Sequence, residues 1–249
     1  MRAPSRVAFL IIIVALVASA SHAAGVNLRW DACAGDAGVP NKNFACNTNV
    51  GAQTLVASFV LPANQSAVAG VLAKFDLSAA SASLPAWWMV STTGGCRTNG
   101  LGSNATISAS AVMCSDWAQL SGAGGIVAHF TVGSLGPGTA SFDIATVTQL
   151  PPDLLAGQEY FHSNIIIHDV QTVGVGACAG CSTPVCIAIQ DVEVGLGPVT
   201  VLTQPANGGD SNFSTWQGGL GAPSLPGAAC LAVVPTRKSA WGAVKSLYR

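Results

Sequence analysis

The chain predicts an all-β, antiparallel β-sandwich of nine or so strands, stapled by disulfides. Three observations carry that expectation. Apolar and polar residues alternate with period two in several short runs; clusters of Gly, Pro and Asn separate the runs; and eight cysteines sit in a chain with only 8% charged residues. Period two places neighbouring side chains on opposite faces of a strand, so each run reads as half buried. No long amphipathic helix lies between the runs, which argues against a parallel α/β fold, whose crossovers need one.

Residues 1–23 stand apart from this pattern. Arg2 and Arg6 precede a continuous apolar run from Val7 to Ala20, and Ser21-His22-Ala23 offers small residues where a signal peptidase reads. The apolar run is shorter than the roughly 20 residues a spanning helix needs, so a cleaved export signal is expected, leaving no transmembrane anchor. No cysteine lies near the cut, which argues against a lipid-anchored form. Eight cysteines agree with export, because disulfides persist outside the reducing cytosol. The expected location is extracellular, at the cell surface or periplasmic.

The sandwich is expected over 24–216. Val71 to Leu77 alternates strictly, with Lys74 and Asp76 opposite the apolar positions, and Ala140, Phe142 and Ile144 alternate with Ser141, Asp143 and Ala145. Similar runs lie at Val26–Trp30, Thr54–Leu61, Thr106–Met113, Ile126–Val132, Tyr160–Val170, Cys186–Val194 and Val199–Thr203. Turn formers punctuate them, among them Pro62-Ala63-Asn64, Gly136-Pro137-Gly138 and Pro151-Pro152. A Gly/Pro-rich linker is expected over 217–236 and a basic tail over 237–249. Ser239 caps a predicted short helix that sets Trp241, Val244 and Tyr248 on one side.

Charge is unevenly placed. Between 24 and 236 there are four basic and eleven acidic residues, whereas the tail holds Arg237, Lys238, Lys245 and Arg249. An acidic body argues against a nucleic-acid partner, which needs a basic stripe for phosphates.

Eight cysteines allow about 105 pairings. Local spacing favours Cys33 with Cys46 and Cys96 with Cys114. Cys178, Cys181, Cys186 and Cys230 then form two bonds among themselves, one of which ties the C-terminal segment to the body. Rival readings of Cys178-Ala179-Gly180-Cys181 are a redox pair and a zinc site completed by Cys186 and His168. No helix start follows the first thiol and no second ligand pair is present, so structural disulfides are the expectation.

Residues that carry catalysis are scarce. Period two sets His162 and His168 on one face of the Tyr160–Val170 run, the polar side of an amphipathic strand. No nucleophile elbow, zinc-protease helix or phosphate loop occurs, and two Glu with nine Asp are a thin supply of carboxylates. No enzyme activity, cofactor or metal is expected. The stretch Asp31, Asp36, Asn41, Asn43, Asn47, Asn49 has the oxygen ligands calcium uses but not the order of a calcium loop, and reads as a disulfide-held turn region. Asn64, Asn104 and Asn212 begin glycan-acceptor triplets. Trp87-Trp88 are adjacent, so in a strand one indole faces outward. Trp88, with Trp117 and Trp216, is a candidate platform for stacking on a sugar ring or anchoring a protein. The alternative is Trp87 in the core with Trp88 under a loop.

The ending Trp241-Gly242-Ala243-Val244-Lys245-Ser246-Leu247-Tyr248-Arg249 resembles the TWGxhKxLYR ending (h apolar) of a family of exported bacterial β-sandwich proteins with no known activity. The resemblance extends to Leu28–Cys33, Phe44–Asn49, Leu84–Trp88, Cys178–Cys186 and Asn212–Gly219; Ala240 stands where the ending usually has Thr. It implies a secreted sandwich similar in shape to cohesin-like or carbohydrate-binding modules, and jelly-roll and Ig-like orders fit the strand pattern as well. It also marks Trp241, Val244, Lys245, Leu247, Tyr248 and Arg249 as a candidate sorting or docking tail.

Together these readings point to a secreted or surface-displayed, non-enzymatic binding or structural module whose partner is a surface glycan or a protein. The alternatives are a carbohydrate-binding module using exposed tryptophans and a secreted hydrolase with carboxylates assembled in space.

Overall fold

The computed structural model describes residues 24–90, 95–108, 111, 113–119, 122–196, 200–205, 211–218, 222, 224, 225 and 230. The segments expected to be an export signal and a basic tail therefore lie outside the described residues. The described strands form two sheets packed face to face. One contains β1 (Gly25–Trp30), β3 (Ala52–Val60), β9 (Glu159–His168) and β5 (Leu101–Asn104) in that order, with β6 (Ser115–Asp116) also on β9. The other runs β2 (Asn41–Lys42), β12 (Phe213–Trp216), β10 (Val185–Leu196), β4 (Val68–Ala79), β8 (Thr139–Thr148), β7 (Gly122–Val132), with β11 (Thr200–Pro205) also on β10. All pairings are antiparallel except the two-residue contacts of β2 with β12 and β6 with β9.

Alternation dictates which side chains fill the space between the sheets. Val26, Leu28 and Trp30 of β1 and Leu55, Ala57 and Phe59 of β3 meet Val71, Ala73, Phe75 and Leu77 of β4 and Ala140, Phe142 and Ile144 of β8. All are buried, as period two requires. Phe75 and Phe142, opposite each other on neighbouring strands, stack with centroids 4.9 Å apart.

Two departures from strict alternation change what points where. On β9, Ala57 faces Ser163 and Ser58 faces Phe161, so His162 is an inserted residue that inverts the parity of the strand. His162 consequently turns inward and is buried, its Nε2 3.3 Å from the Val71 carbonyl of the facing sheet, while His168 lies on the other face. The expectation that both histidines share a face is corrected by this bulge. Gln190 plays the same part on β10: Ile187 and Ile189 precede it in the core, and Val192 and Val194 follow it there.

The run Thr106–Met113 is not a strand among its described residues. Its backbone is held by side chains instead of a neighbouring strand. Asn164 donates to the Thr106 carbonyl at 2.8 Å, Asn104 accepts from the Thr106 N–H at 3.1 Å, and Asp36 accepts from Met113 at 2.9 Å. Of the expected linker 217–236, Ala222, Leu225 and Cys230 are buried against Cys186, Ala188 and Phe213 on the outer face of the larger sheet. No helix of the described residues is long and apolar enough to cross a membrane.

Candidate functional site

The segments that carry the family resemblance converge on one end of the sandwich. Trp216 stacks on Phe44 with centroids 3.7 Å apart and meets Trp87, Trp88 and Trp30 at 5.0, 5.3 and 5.8 Å. Three indole N–H groups lace the segments together: Trp30 donates to the Thr215 carbonyl, Trp216 to that of Cys181 and Trp87 to the Thr172 hydroxyl. Gly180 lies in the left-handed region at φ +110°, where a Cβ would come within 2.2 Å of Pro85, so the turn between the two cysteines admits only glycine there. Arg97 completes the knot. Its buried guanidinium lies 3.5 Å above the Trp87 ring and donates to the carbonyls of Trp87 and His168. Burial lowers its pKa to about 10 against the opposing pull of Asp169, so it stays charged at neutral pH.

Trp88, Trp117 and Trp216 are 1%, 1% and 0% exposed, which corrects the expectation of a tryptophan platform. Trp88 falls in a 3₁₀ turn, Ala86–Trp88, not in a strand, so adjacency does not send one indole outward. Aromatic packing of this density is core material.

The cysteines are all oxidised, as Cys33–Cys114, Cys46–Cys181, Cys96–Cys178 and Cys186–Cys230. The local pairs expected, Cys33 with Cys46 and Cys96 with Cys114, do not form; only the link from Cys186 to Cys230 agrees with the grouping by spacing. Short spacing minimises loop-closure entropy, but the fold separates Cys33, packed on the outer face of the smaller sheet, from Cys46, which packs against the main core. Cys178 and Cys181 bond different partners, so they form neither a redox dithiol nor thiolate ligands for zinc. Cys33, Asp36 and Cys114 lie close together, but their sulfurs are spent on each other.

The Cys33–Cys114 disulfide borders a cavity of about 340 Å³ on the outer face of the smaller sheet. Its base is apolar, with Val56, Phe161 and the Cys33–Cys114 bridge. Its polar lining includes Asp31, Asp36, Thr54 and Asn164. Asp36 accepts from the backbone N–H groups of Met113 and Cys114, which fixes the far wall. Asp31 holds Lys42 at 2.7 Å.

One buried carboxylate organises the near wall. Glu159, 1% exposed, accepts from the Asn27 side chain at 3.1 Å, the Ser58 hydroxyl at 2.5 Å, and the N–H groups of Ala34 and Gly35 at 3.1 and 2.7 Å. Those two N–H groups begin the 3₁₀ turn Ala34–Asp36, whose end carries Asp36 into the cavity. Free N–H groups at a helical start attract negative charge, so Glu159 caps the turn from a distant strand. Nothing local in the sequence marks Glu159 for this role; its only signal is the rarity of Glu in the chain.

Asn41 accepts from the Thr215 hydroxyl and the Gly218 N–H, and Asn49 from Thr172 and Val173, so these members of the Asp/Asn-rich stretch serve as turn and junction clamps. The stretch is held by these bonds and by long-range disulfides, not by a Cys33–Cys46 closure. Asn212 is 2% exposed, whereas Asn64 is exposed and accepts from Ala156. The described carboxylates gather most densely on the open face of the larger sheet, where Lys74 contacts Glu193 and lies 3.6 Å from Asp191. Trp241, Val244, Lys245, Leu247, Tyr248 and Arg249 lie outside the described residues.

The strand pairings and disulfides define a disulfide-stapled β-sandwich. No family model matches the chain, and no curated protein matches it. Among solved structures, a cohesin module from Clostridium perfringens ATCC13124 family 33 glycoside hydrolase is similar at 10% identity and a TM-score of 0.35, over 78% of this chain and 94% of that chain.

Proposed function

We propose that this chain is an exported, non-catalytic binding module of the family its C-terminal ending resembles, and that it holds its ligand in the cavity beside Cys33–Cys114. The cavity carries this reading: about 340 Å³ falls within the range that admits a small molecule, a sugar unit or one protruding side chain. An apolar base with carboxylate, hydroxyl and amide oxygens around it suits a partner with an apolar surface and several hydrogen-bond donors, as a surface glycan or a protein loop offers. Among the described residues the thiols are oxidised, and His162 is buried with its pKa lowered to about 4 by desolvation. Four disulfides fit an oxidising compartment.

The test is binding of the oxidised protein, from residue 24 onward, to glycan and peptide arrays, with titration calorimetry on any hit. Thr54→Trp fills the cavity from β3, on the outer side of the sheet. Binding by the parent and a loss of at least about tenfold in Thr54→Trp is the expected result. Arrays without a hit, or a correctly oxidised Thr54→Trp protein that binds as the parent does, refute the assignment.

A further inference from the structure

The outer face of the larger sheet is covered over one half. Cys186 and Ala188 of β10 and Phe213 of β12 lie buried under Ala222, Leu225 and Cys230, and the Cys186–Cys230 bond locks that cover in place. Past the inserted Gln190 the same face continues with Asp191, Glu193 and Gly195. Among the described residues the cover stops there. A shallow apolar groove of about 200 Å³ lies between Gly70, Leu72, Ala145, Val147 and Gly195, with Glu193 also lining it. Val147 is 53% exposed and lines this groove.

The charge around the groove has one sign in excess. Register places Lys74 opposite Asp143 on one side and Asp191 on the other, with Asp76 next along β4. Lys74 is thus a single cation among Asp76, Asp143, Asp191 and Glu193. Residues 231–249, which begin where Cys230 pins the chain to this face, have the opposite character. They contain Arg237, Lys238, Lys245 and Arg249, no acidic residue, and the apolar set Trp241, Val244 and Tyr248. The three-turn helix that the sequence predicts here, interrupted by Gly242, would need a surface to form on.

We propose that segment 231–249 folds back in cis across the open half of this face. Its apolar side seats on the Gly70–Leu72–Val147 groove and its cations face Asp191 and Glu193. Reach is sufficient. From Cys186 to Gly195 the strand covers about 30 Å at 3.3 Å per residue, while nineteen residues, about nine extended and ten helical beyond the Ser239 cap, span about 45 Å. The segment already laid over Cys186 and Ala188 would then continue along the same strand, which makes the cover one continuous device.

Limited chymotrypsin digestion of the oxidised protein, followed by mass spectrometry at Trp241 and Leu247, reads the docked fraction, because cleavage tracks the population of the open form. At low salt the parent is expected to be cut about tenfold more slowly than Asp191→Lys/Glu193→Lys, with the gap closing at 1 M salt, where the screening length falls to about 3 Å. Arg237→Glu/Lys245→Glu alters the segment alone, leaves the sheet unchanged, and is expected to lose the same protection. Combining both pairs of substitutions is expected to restore it. Equal cleavage rates in the parent and in the segment variant overturn the proposal. So does protection that rises with protein concentration, which assigns the face to a second copy, and so does a mature protein that ends before Arg237.

Discussion

Replacing Glu159 by Gln tests whether one buried carboxylate holds the cavity wall. The parent carboxylate receives four hydrogen bonds and has 1% of its surface exposed. Gln keeps an oxygen for Asn27, Ser58 and Ala34, but its amide nitrogen meets the Gly35 N–H, a donor facing a donor. Hydrogen bonds to a charged group contribute about 1.5–3 kcal/mol each and neutral ones about 1, so losing one bond and weakening three costs at least about 3 kcal/mol. Removal of a buried charge offsets part of that, which places the net loss at about 2–3 kcal/mol. Glu159→Ala strands the buried Ser58 and Asn27 donors while Ala34 and Gly35, half-buried, recover water, and costs about 4 kcal/mol. Urea unfolding under non-reducing conditions measures both, with an unchanged slope required for the comparison. Destabilisation of Glu159→Gln by less than about 0.5 kcal/mol, the scale of an ordinary surface substitution, would refute the reasoning.

Further outcomes follow from other buried groups. His162 has its pKa lowered to about 4 by desolvation, so folding favours the neutral ring; the stability this represents is whole above pH 6.5 and is lost as pH falls through 4, about 3 kcal/mol in all. Unfolding free energies between pH 7 and 4 should therefore fall less steeply in His162→Gln, and parallel curves would dismiss the assignment. Burial, with Asp143 and Asp191 adding repulsion and Ser141 opposing, raises the Asp76 pKa, so its charge opposes folding above the carboxylate range. Asp76→Asn is accordingly expected to stabilise the protein at pH 7 and to leave it unchanged near pH 3, as thermal melts at the two pH values would show. Arg97→Lys keeps the charge but loses the planar fork and its stacking on Trp87, and is expected to cost about 3 kcal/mol with a shifted tryptophan emission; an unshifted spectrum and an unchanged midpoint would contradict the role. Non-reducing peptide mapping should recover Cys46 joined to Cys181. Since Cys96–Cys178 nests inside that loop, removing the pair is expected to cost about 4 kcal/mol in the chain-entropy account.

Much of the sandwich could be read from residue order, because alternation is a local property. Val71–Leu77 and Ala140–Ile144 point inward as their period demands, and the runs expected around β1, β3, β4, β7, β8, β9, β10 and β11 are strands. Short pieces carry no period to read: Leu101–Asn104, Ser115–Asp116, Asn41–Lys42 and Phe213–Trp216 are strands only because a partner lies alongside. Asp31 and Asp36 have the oxygens of cation ligands, and both line the cavity, but Asp36 accepts from two N–H groups there and Asp31 pairs with Lys42.

Residue order alone thus determined an all-β class, a weakly charged body with a basic end, and a chain whose cysteines belong in disulfides. Those follow from composition and from period two. The tertiary structure decided the pairing of the cysteines, the inward turn of His162, the burial of Trp88 and the four donors that meet at Glu159. Each depends on which distant segment arrives beside the residue. A bulge of one residue inverts every side chain beyond it, and a 3₁₀ turn packed on Trp216 buries an indole that an extended strand would have exposed.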